Sequence, residues 1–395
     1  MLTAIILVII NLSFIGVGLP NSLLGSAWPS MQGEVGVSVS YMGILSMLYL
    51  GGSVVANFFS GKLLKRFAPG NAIFVNVLII ALSLFGFSMS GHFLLLCVFA
   101  LPLGIGIGFA DAMLNSYSAM HFSAKHMNWH HCFWGIGAAV GPVFMAYGIS
   151  AGSWRMGYQI TGVVVAVIAV ALLLSLPLWK KFSKISPGTQ DTAETGQTPE
   201  SYGSLFRLQG FKLSMAIFFV YVAAEATVGL WGASYLVMAR GISPELAAGC
   251  LSLYFVGMTL GRFLSGFLSM LLSSRQIIWL GSTLFGCGIV FLVLPLGSAS
   301  YWVGFFLMGF GCAPIFPTLV HITPARFGAA YAQTAIGVQM SSSNIGGAAI
   351  PPVFGLIAAQ IGHGFFPVFL GVMLAIMAVM IWRFDKVPPH EEADR

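Results

Sequence analysis

The chain has 395 residues, of which 58% are hydrophobic and 7% are charged, whereas soluble domains carry roughly 25% charged residues. A soluble fold cannot hide that much apolar surface, so the composition excludes a water-soluble protein and indicates lipid as the solvent. The net charge of +6 comes from basic residues at segment ends, and we attribute it to membrane anchoring and not to nucleic-acid binding.

Apolar runs long enough to cross a bilayer, about 20 residues each, recur along the sequence. The first run, from Met1 to Trp28, has neither the basic start nor the short core of a signal peptide, so we expect a spanning helix there. The pattern predicts an all-α membrane protein with twelve transmembrane helices, at 2–27, 38–60, 71–89, 93–117, 130–150, 156–179, 210–236, 245–271, 276–297, 300–322, 332–359 and 364–383.

The basic residues predict the orientation of these helices. Nearly all Lys and Arg residues outside the spans fall on one side of the topology, and only Arg155 and Arg240 fall on the other. Cytoplasmic loops carry an excess of Lys and Arg, so both termini are predicted to be cytoplasmic. We expect a multi-pass protein of the inner or plasma membrane.

One long polar stretch, 180–209, divides the chain, and we predict that it is a cytoplasmic linker. The predicted organisation is a six-helix bundle at 1–179, the linker at 180–209, a second bundle at 210–383 and a cytoplasmic tail at 384–395. Motifs recur between the halves at an offset of 205 residues: Tyr49-Leu-Gly-Gly52 with Tyr254-Phe-Val-Gly257, Ser60-Gly61 with Ser265-Gly266, and Gly104-Ile-Gly106 with Gly309-Phe-Gly311.

Two parallel six-helix repeats are the plan of the major facilitator superfamily, and the sequence predicts that fold in a monomer. Four sequence blocks resemble the fucose–galactose–glucose/proton symporter branch of that superfamily: Gly104-Ile-Gly-Ile-Gly-Phe-Ala-Asp111-Ala-Met-Leu-Asn115, Asn128-Trp-His-His131-Cys-Phe-Trp134-Gly-Ile-Gly137, Tyr221-Val-Ala-Ala-Glu225 leading to Trp231, and Ala313-Pro314-Ile-Phe-Pro317-Thr318.

The resemblance implies sugar transport driven by protons, with Asp111 on the fourth helix taking part in proton coupling. His131 lies in the second of these blocks and is a candidate for relaying protons with Asp111. The alternative is that it makes a hydrogen bond at an inner gate. Asn115 is a candidate solute ligand and Asn128 a candidate gating residue. The branch has a second acid on the first helix, which would fall near Gly25, where this chain has no carboxylate.

Three ionisable residues, Asp111, Glu225 and Arg262, lie inside predicted spans. An ionised side chain within the bilayer costs free energy, and such residues usually belong to a transport pathway or a proton relay. Asp111 and Glu225 are therefore candidate proton carriers, unless they have static structural roles. Arg262 is a candidate gating residue that pairs across the two bundles, or else a side chain that snorkels to the inner interface.

Glu225 also belongs to a predicted solute site. The repeat offset puts Asn21 on the first helix at a depth similar to Glu225, and a carboxylate and an amide suit a ligand rich in hydroxyls. The remaining candidate ligands are Trp231, which could instead be an interfacial anchor, and Gln339 and Asn344 on the eleventh helix, which could instead bond helices together.

Several chemistries are not expected. His126 and His130 have metal-compatible spacing but lack a third ligand, and the five cysteines are scattered, so we predict no metal. The glycine run at 104–108 has neither a preceding strand nor a following Lys-Ser/Thr pair, so it does not predict a phosphate loop. No catalytic set is apparent, and we expect no enzyme activity and no cofactor.

The sequence therefore predicts a secondary transporter that moves a small polar solute, a sugar or polyol, by alternating access and with proton coupling. A sugar uniporter is an alternative, because the chain lacks the acid that the branch has near Gly25. Two further alternatives are a transporter that exports a drug or metabolite, and a receptor that binds a solute without transporting it.

Overall fold

A computed structural model describes residues 2–122, 124–185 and 202–388, and nearly all of these residues lie in helices. In the first half the helices are α1 (Leu2–Gly18), α2 (Leu23–Val35), α3 (Met42–Arg66), α4 (Pro69–Met89), α5 (Phe93–His121), α6 (Ala124–Ser150) and α7 (Trp154–Ile185). In the second half they are α8 (Tyr202–Leu205), α9 (Phe211–Arg240), α10 (Pro244–Leu268), α11 (Ser274–Val293), α12 (Ser298–Cys312), α13 (Ile315–Phe327), α14 (Ala329–Ile361) and α15 (Phe366–Phe384).

Twelve segments of the described chain are long and apolar enough to span a membrane, which confirms the predicted number and the all-α fold class. Two of these spans are interrupted. The first changes from α1 to α2 through a 3₁₀ turn at Leu19–Ser22, and the tenth changes from α12 to α13 at Ala313 and Pro314. Both interruptions contain a proline, which lacks the N–H that a continuous helix needs.

The helices form two compact units, each with its own core. The first contains α1–α7 together with Ala233–Ser252, and the second contains α8, the rest of α9 and α10, and α11–α15. Most of the predicted linker at 180–209, and the tail beyond residue 388, lie outside the described residues.

Glycines bring helices into backbone contact at matching places in the two units. A Cβ built on Gly104 would lie 1.9 Å from the backbone oxygen of Tyr49, and one built on Gly309 would lie 1.8 Å from that of Tyr254. A Cβ at either position would clash with the backbone, so α5 meets α3 at Gly104, and α12 meets α10 at Gly309, by direct backbone contact. The same offset of 205 residues that relates the sequence motifs therefore relates these contacts.

Ion pairs also occur at segment ends. Arg155 pairs with Glu34 in the first unit and lies over the ring of Trp154. In the second unit Nε of Arg275 lies 2.9 Å from Oδ2 of Asp385. Charges at such positions can stay hydrated, in contrast to the few that lie within spans.

Candidate functional site

The second unit contains an ion pair within its spans. Nη2 of Arg262, on α10, lies 3.9 Å from Oε1 of Glu225, on α9, and the two side chains are 25% and 22% exposed. This separation exceeds the N–H···O hydrogen-bond range of about 2.7–3.2 Å, so the contact is an electrostatic attraction without a direct hydrogen bond. The structure thus places Arg262 beside an acid of its own unit, a partner that the sequence had not indicated.

Tyr221 lies one helical turn before Glu225 and contacts the other oxygen of its carboxyl group. Oη of Tyr221 is 2.5 Å from Oε2 of Glu225 and 2.8 Å from the backbone oxygen of Cys312. The tyrosine ring is buried, and its hydroxyl joins α9 to the end of α12.

Tyr254 contacts the same region from α10. Its hydroxyl donates to the backbone oxygen of Glu225 at 3.3 Å and lies 3.6 Å from Sγ of Cys312. Tyr254 therefore touches the backbone of Glu225, whereas Tyr221 touches its carboxyl group.

The interruption of the tenth span explains why Cys312 can take part. Cys312 is the last residue of α12, and the final carbonyl groups of a helix have no partner within it. The hydroxyl of Tyr221 donates to this carbonyl and supplies the partner that the end of the helix lacks.

A small cleft adjoins these groups. Tyr221, Glu225 and Cys312 form part of its wall, and the remainder is largely apolar, with Phe285 from α11, Ile315 from α13, and Met373, Leu374 and Met377 from α15. In this conformation the cleft has room for about one water molecule and is too small to enclose a sugar.

In the first unit the polar cluster is built on the turn between α1 and α2. The hydroxyl of Tyr49 donates to Oδ1 of Asn21 at 2.7 Å, and Nδ2 of Asn21 donates to the backbone oxygen of Val17 at 2.8 Å. Tyr49 thus contacts Asn21 directly and lies within electrostatic range of Asp111 on α5.

Asn115 lies one turn after Asp111, and its Nδ2 donates to the backbone oxygen of Asp111 at 2.9 Å. Within the described part of the chain its Oδ1 is buried and accepts no hydrogen bond. Asn115 thus keeps an unused acceptor beside Asp111, and this atom is shielded from solvent in this conformation.

The two adjacent histidines on α6 have different surroundings. His130 is fully buried, stacks on Phe14 with ring centroids 5.2 Å apart, and has Nδ1 2.6 Å from Oδ1 of Asn11. His131, the residue nominated from sequence, is exposed, and its ring centroid is 6.0 Å from that of Phe14. Among the described residues no group of three or more His, Cys, Asp or Glu could hold a metal ion.

Two of the remaining candidates bond helices of the second bundle together. Trp231 is fully buried and donates from Nε1 to the backbone oxygen of Pro351 at 2.7 Å. Gln339, also buried, accepts from the hydroxyl of Thr323 at 3.0 Å and donates to Oγ of Ser214 at 2.7 Å. Neither side chain presents a free polar face to a solute in this conformation.

Asn344 is exposed on α14, and the side chain of Asn128 lies outside the described part of the structure. Sequence reasoning did not nominate Tyr49, Tyr221, Tyr254 or Cys312 as site residues. A signal for two of them was present, because Tyr49 and Tyr254 occupy equivalent positions of the repeat. For Cys312 the signal was the neighbouring Pro314 and Pro317, which predict a helix interruption.

Comparison with known proteins agrees with this architecture. The sequence model of the Major Facilitator Superfamily matches residues 10–249 and 213–395. The chain belongs to this superfamily of membrane transporters, which confirms the family predicted from the repeats.

Two curated relatives and one solved structure illustrate the range of similarity. "Bypass of stop codon protein 6" of Saccharomyces cerevisiae is 23% identical over 415 residues, covering 96% of this chain and 82% of that protein. The glucose/mannose transporter GlcP of Bacillus subtilis is 21% identical over 357 residues, covering 87% and 85%. The crystal structure of a D-xylose–proton symporter matches with a TM-score of 0.71 at 16% identity, covering 98% of this chain and 99% of that chain.

Proposed function

We propose that this protein is a proton-coupled secondary transporter of a small polar solute, a sugar or polyol, in the cytoplasmic membrane. It works by alternating access, as a monomer with both termini in the cytoplasm. The sugar class is supported by the similarity to the glucose/mannose transporter GlcP. The orientation is supported by the Lys and Arg excess of the loops on one side.

The observation that carries the proposal is the partly exposed carboxyl group of Glu225, set beside an apolar cleft within the second unit. A carboxylate accepts hydrogen bonds from adjacent hydroxyl groups, which is the chemistry of a polyol. In the first unit the amide of Asn21 bonds Tyr49 and Val17 and keeps one further N–H, while the unused Oδ1 of Asn115 is buried. We infer that Glu225 binds hydroxyls of the solute in the second unit, and that Asn21 and Asn115 are the ligands that the first unit offers.

Asp111 and Glu225 are the acids proposed to carry protons, and His131 is a candidate relay. A carrier must change its protonation as its surroundings change, and an acid within a span that is buried in one state and hydrated in another meets that requirement. A uniporter, which the missing acid near Gly25 leaves open, would move solute without moving protons.

A ligand screen tests the solute class. The purified protein is heated with sugars, polyols, nucleosides and amphipathic drugs, and its unfolding is followed. A ligand at 100 times its dissociation constant stabilises the folded state by about 2.7 kcal/mol. We expect stabilisation by a sugar or polyol that is lost in Glu225→Gln. Stabilisation by amphipathic drugs alone would contradict the proposal and favour efflux.

A further inference from the structure

The last span, α15, presents one continuous exposed face that ends in basic residues. Exposed apolar side chains recur along it every three or four residues, at Val368, Val372, Ile376, Val379 and Trp382. This spacing puts them on a single side of the helix, and the exposed Arg383 and Lys386 continue that side at its end. The apolar part is about 21 Å long at 1.5 Å per residue, most of the thickness of a bilayer's hydrocarbon core.

Neighbouring side chains hold two of the cations at this end in place. Nζ of Lys386 lies 3.3 Å from the centroid of the Trp382 ring, which is a cation–π contact. Nε of Arg275, at the start of the adjacent helix α11, lies 2.9 Å from Oδ2 of Asp385. The indole of Trp279 donates from Nε1 to the same carboxyl oxygen at 3.2 Å. Both cations therefore have defined positions at the end of the apolar face.

The carboxyl group of Asp385 does not neutralise this cluster. It is 11% exposed and is occupied by Arg275 and Trp279, whereas the side chain of Arg275 is 65% exposed. A guanidinium that is held through Nε keeps its two terminal nitrogens as donors for another acceptor. Three cations, Arg275, Arg383 and Lys386, against the one carboxylate that contacts them in the described residues leave a charge of +2.

We propose that this end of α11 and α15 is a binding site for the headgroup of an anionic phospholipid. The acyl chains lie along the apolar face of α15, and the phosphate contacts the terminal nitrogens of Arg275 and the ammonium group of Lys386. Guanidinium groups match phosphate oxygens in pairs. Trp382 lies at the boundary between chains and headgroup, where tryptophan is enriched in membrane proteins. A soluble phosphate matches the charge but leaves the adjoining apolar face unused, which favours the lipid.

A built site and a general attraction of basic residues to anionic membranes predict opposite effects for Asp385. The general attraction grows with the total positive charge near the surface, by about fivefold for each Lys or Arg. Removing the negative charge of Asp385 should then strengthen lipid binding. In the proposed site Asp385 is a positioning residue for Arg275, so its removal should weaken lipid binding although the net charge rises.

Native mass spectrometry of the full chain purified in detergent measures the binding of single lipids. The probes are phosphatidylglycerol and phosphatidylcholine with identical acyl chains, and we expect phosphatidylglycerol to bind about tenfold more tightly or better. Arg275→Gln and Lys386→Gln should each weaken phosphatidylglycerol about fivefold and leave phosphatidylcholine unchanged. Lys212→Gln removes an exposed cation at the start of α9, on the same predicted side of the membrane. It is the matched control and should change either affinity by less than about twofold.

Asp385→Ala should weaken the binding of phosphatidylglycerol about two- to fivefold, as expected for losing one oriented contact. Stronger binding in this variant, or equal losses in Lys386→Gln and Lys212→Gln, would overturn the proposal, because the lipid would then respond to total charge alone. Equal affinities for the two lipids in the wild type would also overturn it.

A variant at an exposed position decides the question if Asp385→Ala does not fold. Trp382→Leu keeps the charge and the apolar character but removes the ring that holds Lys386. The preference for phosphatidylglycerol over phosphatidylcholine should fall about two- to fivefold in this variant. An unchanged preference contradicts the site.

Competition distinguishes a lipid from a soluble phosphate compound. Inorganic phosphate and glycerophosphoglycerol, the headgroup without its chains, are added at the concentration of the lipid. Neither should displace phosphatidylglycerol, since both lack the chains that cover α15. Displacement at equal concentration would overturn the lipid assignment and indicate a site for a soluble anion. The site depends neither on the solute nor on proton coupling, so these results do not bear on the proposed function.

Discussion

The guanidinium group of Arg262 and the carboxyl group of Glu225 lie 3.9 Å apart on neighbouring helices of one unit. Either charge alone would be costly at membrane depth, and together they compensate each other. Both side chains are partly exposed, and the attraction between them is weaker than in a dry interior because nearby water screens the charges. The relationship gives Arg262 a structural role in addition to any part in gating.

A double-mutant cycle measures this interaction. We expect Glu225→Gln and Arg262→Gln each to destabilise the protein, and the double variant to be more stable than the sum of the two losses by about 0.5–3 kcal/mol. The measurement is thermal or denaturant unfolding in detergent. The pair Arg275 and Asp385, with Arg275 65% exposed, is the control and should couple by less than about 1 kcal/mol. Additive losses for Glu225 and Arg262 would show that the pair contributes no stability.

Replacing Asp111 by Asn tests proton coupling. Asn keeps the size of Asp and can form hydrogen bonds but cannot release a proton, so we expect Asp111→Asn to abolish solute-driven proton uptake and uphill accumulation. Counterflow exchange, which needs only the loaded carrier to reorient, should survive and serves as the control in the same vesicles. One labelled solute and a pH dye follow both. A fully coupled Asp111→Asn variant would leave Glu225 as the leading proton carrier.

The proposed solute ligands can be tested with a matched pair of asparagines. Glu225→Gln should weaken binding more than tenfold, since a hydrogen bond to a charged group is worth about 1.5–3 kcal/mol. Asn21→Ala should weaken it about two- to tenfold, since a neutral hydrogen bond is worth about 0.5–1.5 kcal/mol. Asn76→Ala is the control, because Nδ2 of Asn76 donates to the carbonyl four residues earlier, as Nδ2 of Asn21 does. Dissociation constants that do not change in Glu225→Gln and Asn21→Ala would remove both residues from the site.

The glycine contacts predict a stability difference between otherwise similar substitutions. Gly104→Ala and Gly309→Ala place a Cβ against a backbone oxygen and should lower the free energy of unfolding by about 1–3 kcal/mol or more. Gly51→Ala is the control, since nothing lies within 4 Å of a Cβ at that position. Equal unfolding temperatures for all three variants would show that the helices can move apart to make room for a Cβ without losing stability.

Single cysteines test the orientation in the membrane. In a background without the five native cysteines, residues introduced at 185–200 should react with an impermeant reagent only after the membrane is opened. A cysteine at Ile242, in the turn between α9 and α10, should react in intact cells. The reverse pattern would invert the proposed topology.

The sequence predicted the spans well because twenty apolar residues in a row have one physical explanation. It also identified Glu225 and Arg262, since charge within a span is rare. It did not predict that they are partners, because that depends on how α9 and α10 are rotated about their axes. The same limitation applies to Trp231 and Gln339, whose polar atoms turned out to bond to Pro351, Thr323 and Ser214.

The glycine contacts also limit how neighbouring helices can shift along each other. Because α12 meets α10 backbone to backbone at Gly309, and α5 meets α3 in the same way at Gly104, neither pair can slide without a steric clash. The helices are interrupted elsewhere, at the turn Leu19–Ser22 and at the junction of Ala313 and Pro314. The second interruption adjoins the Cys312 carbonyl to which Tyr221 donates, so Tyr221 connects this break in the tenth span to the carboxyl group of Glu225.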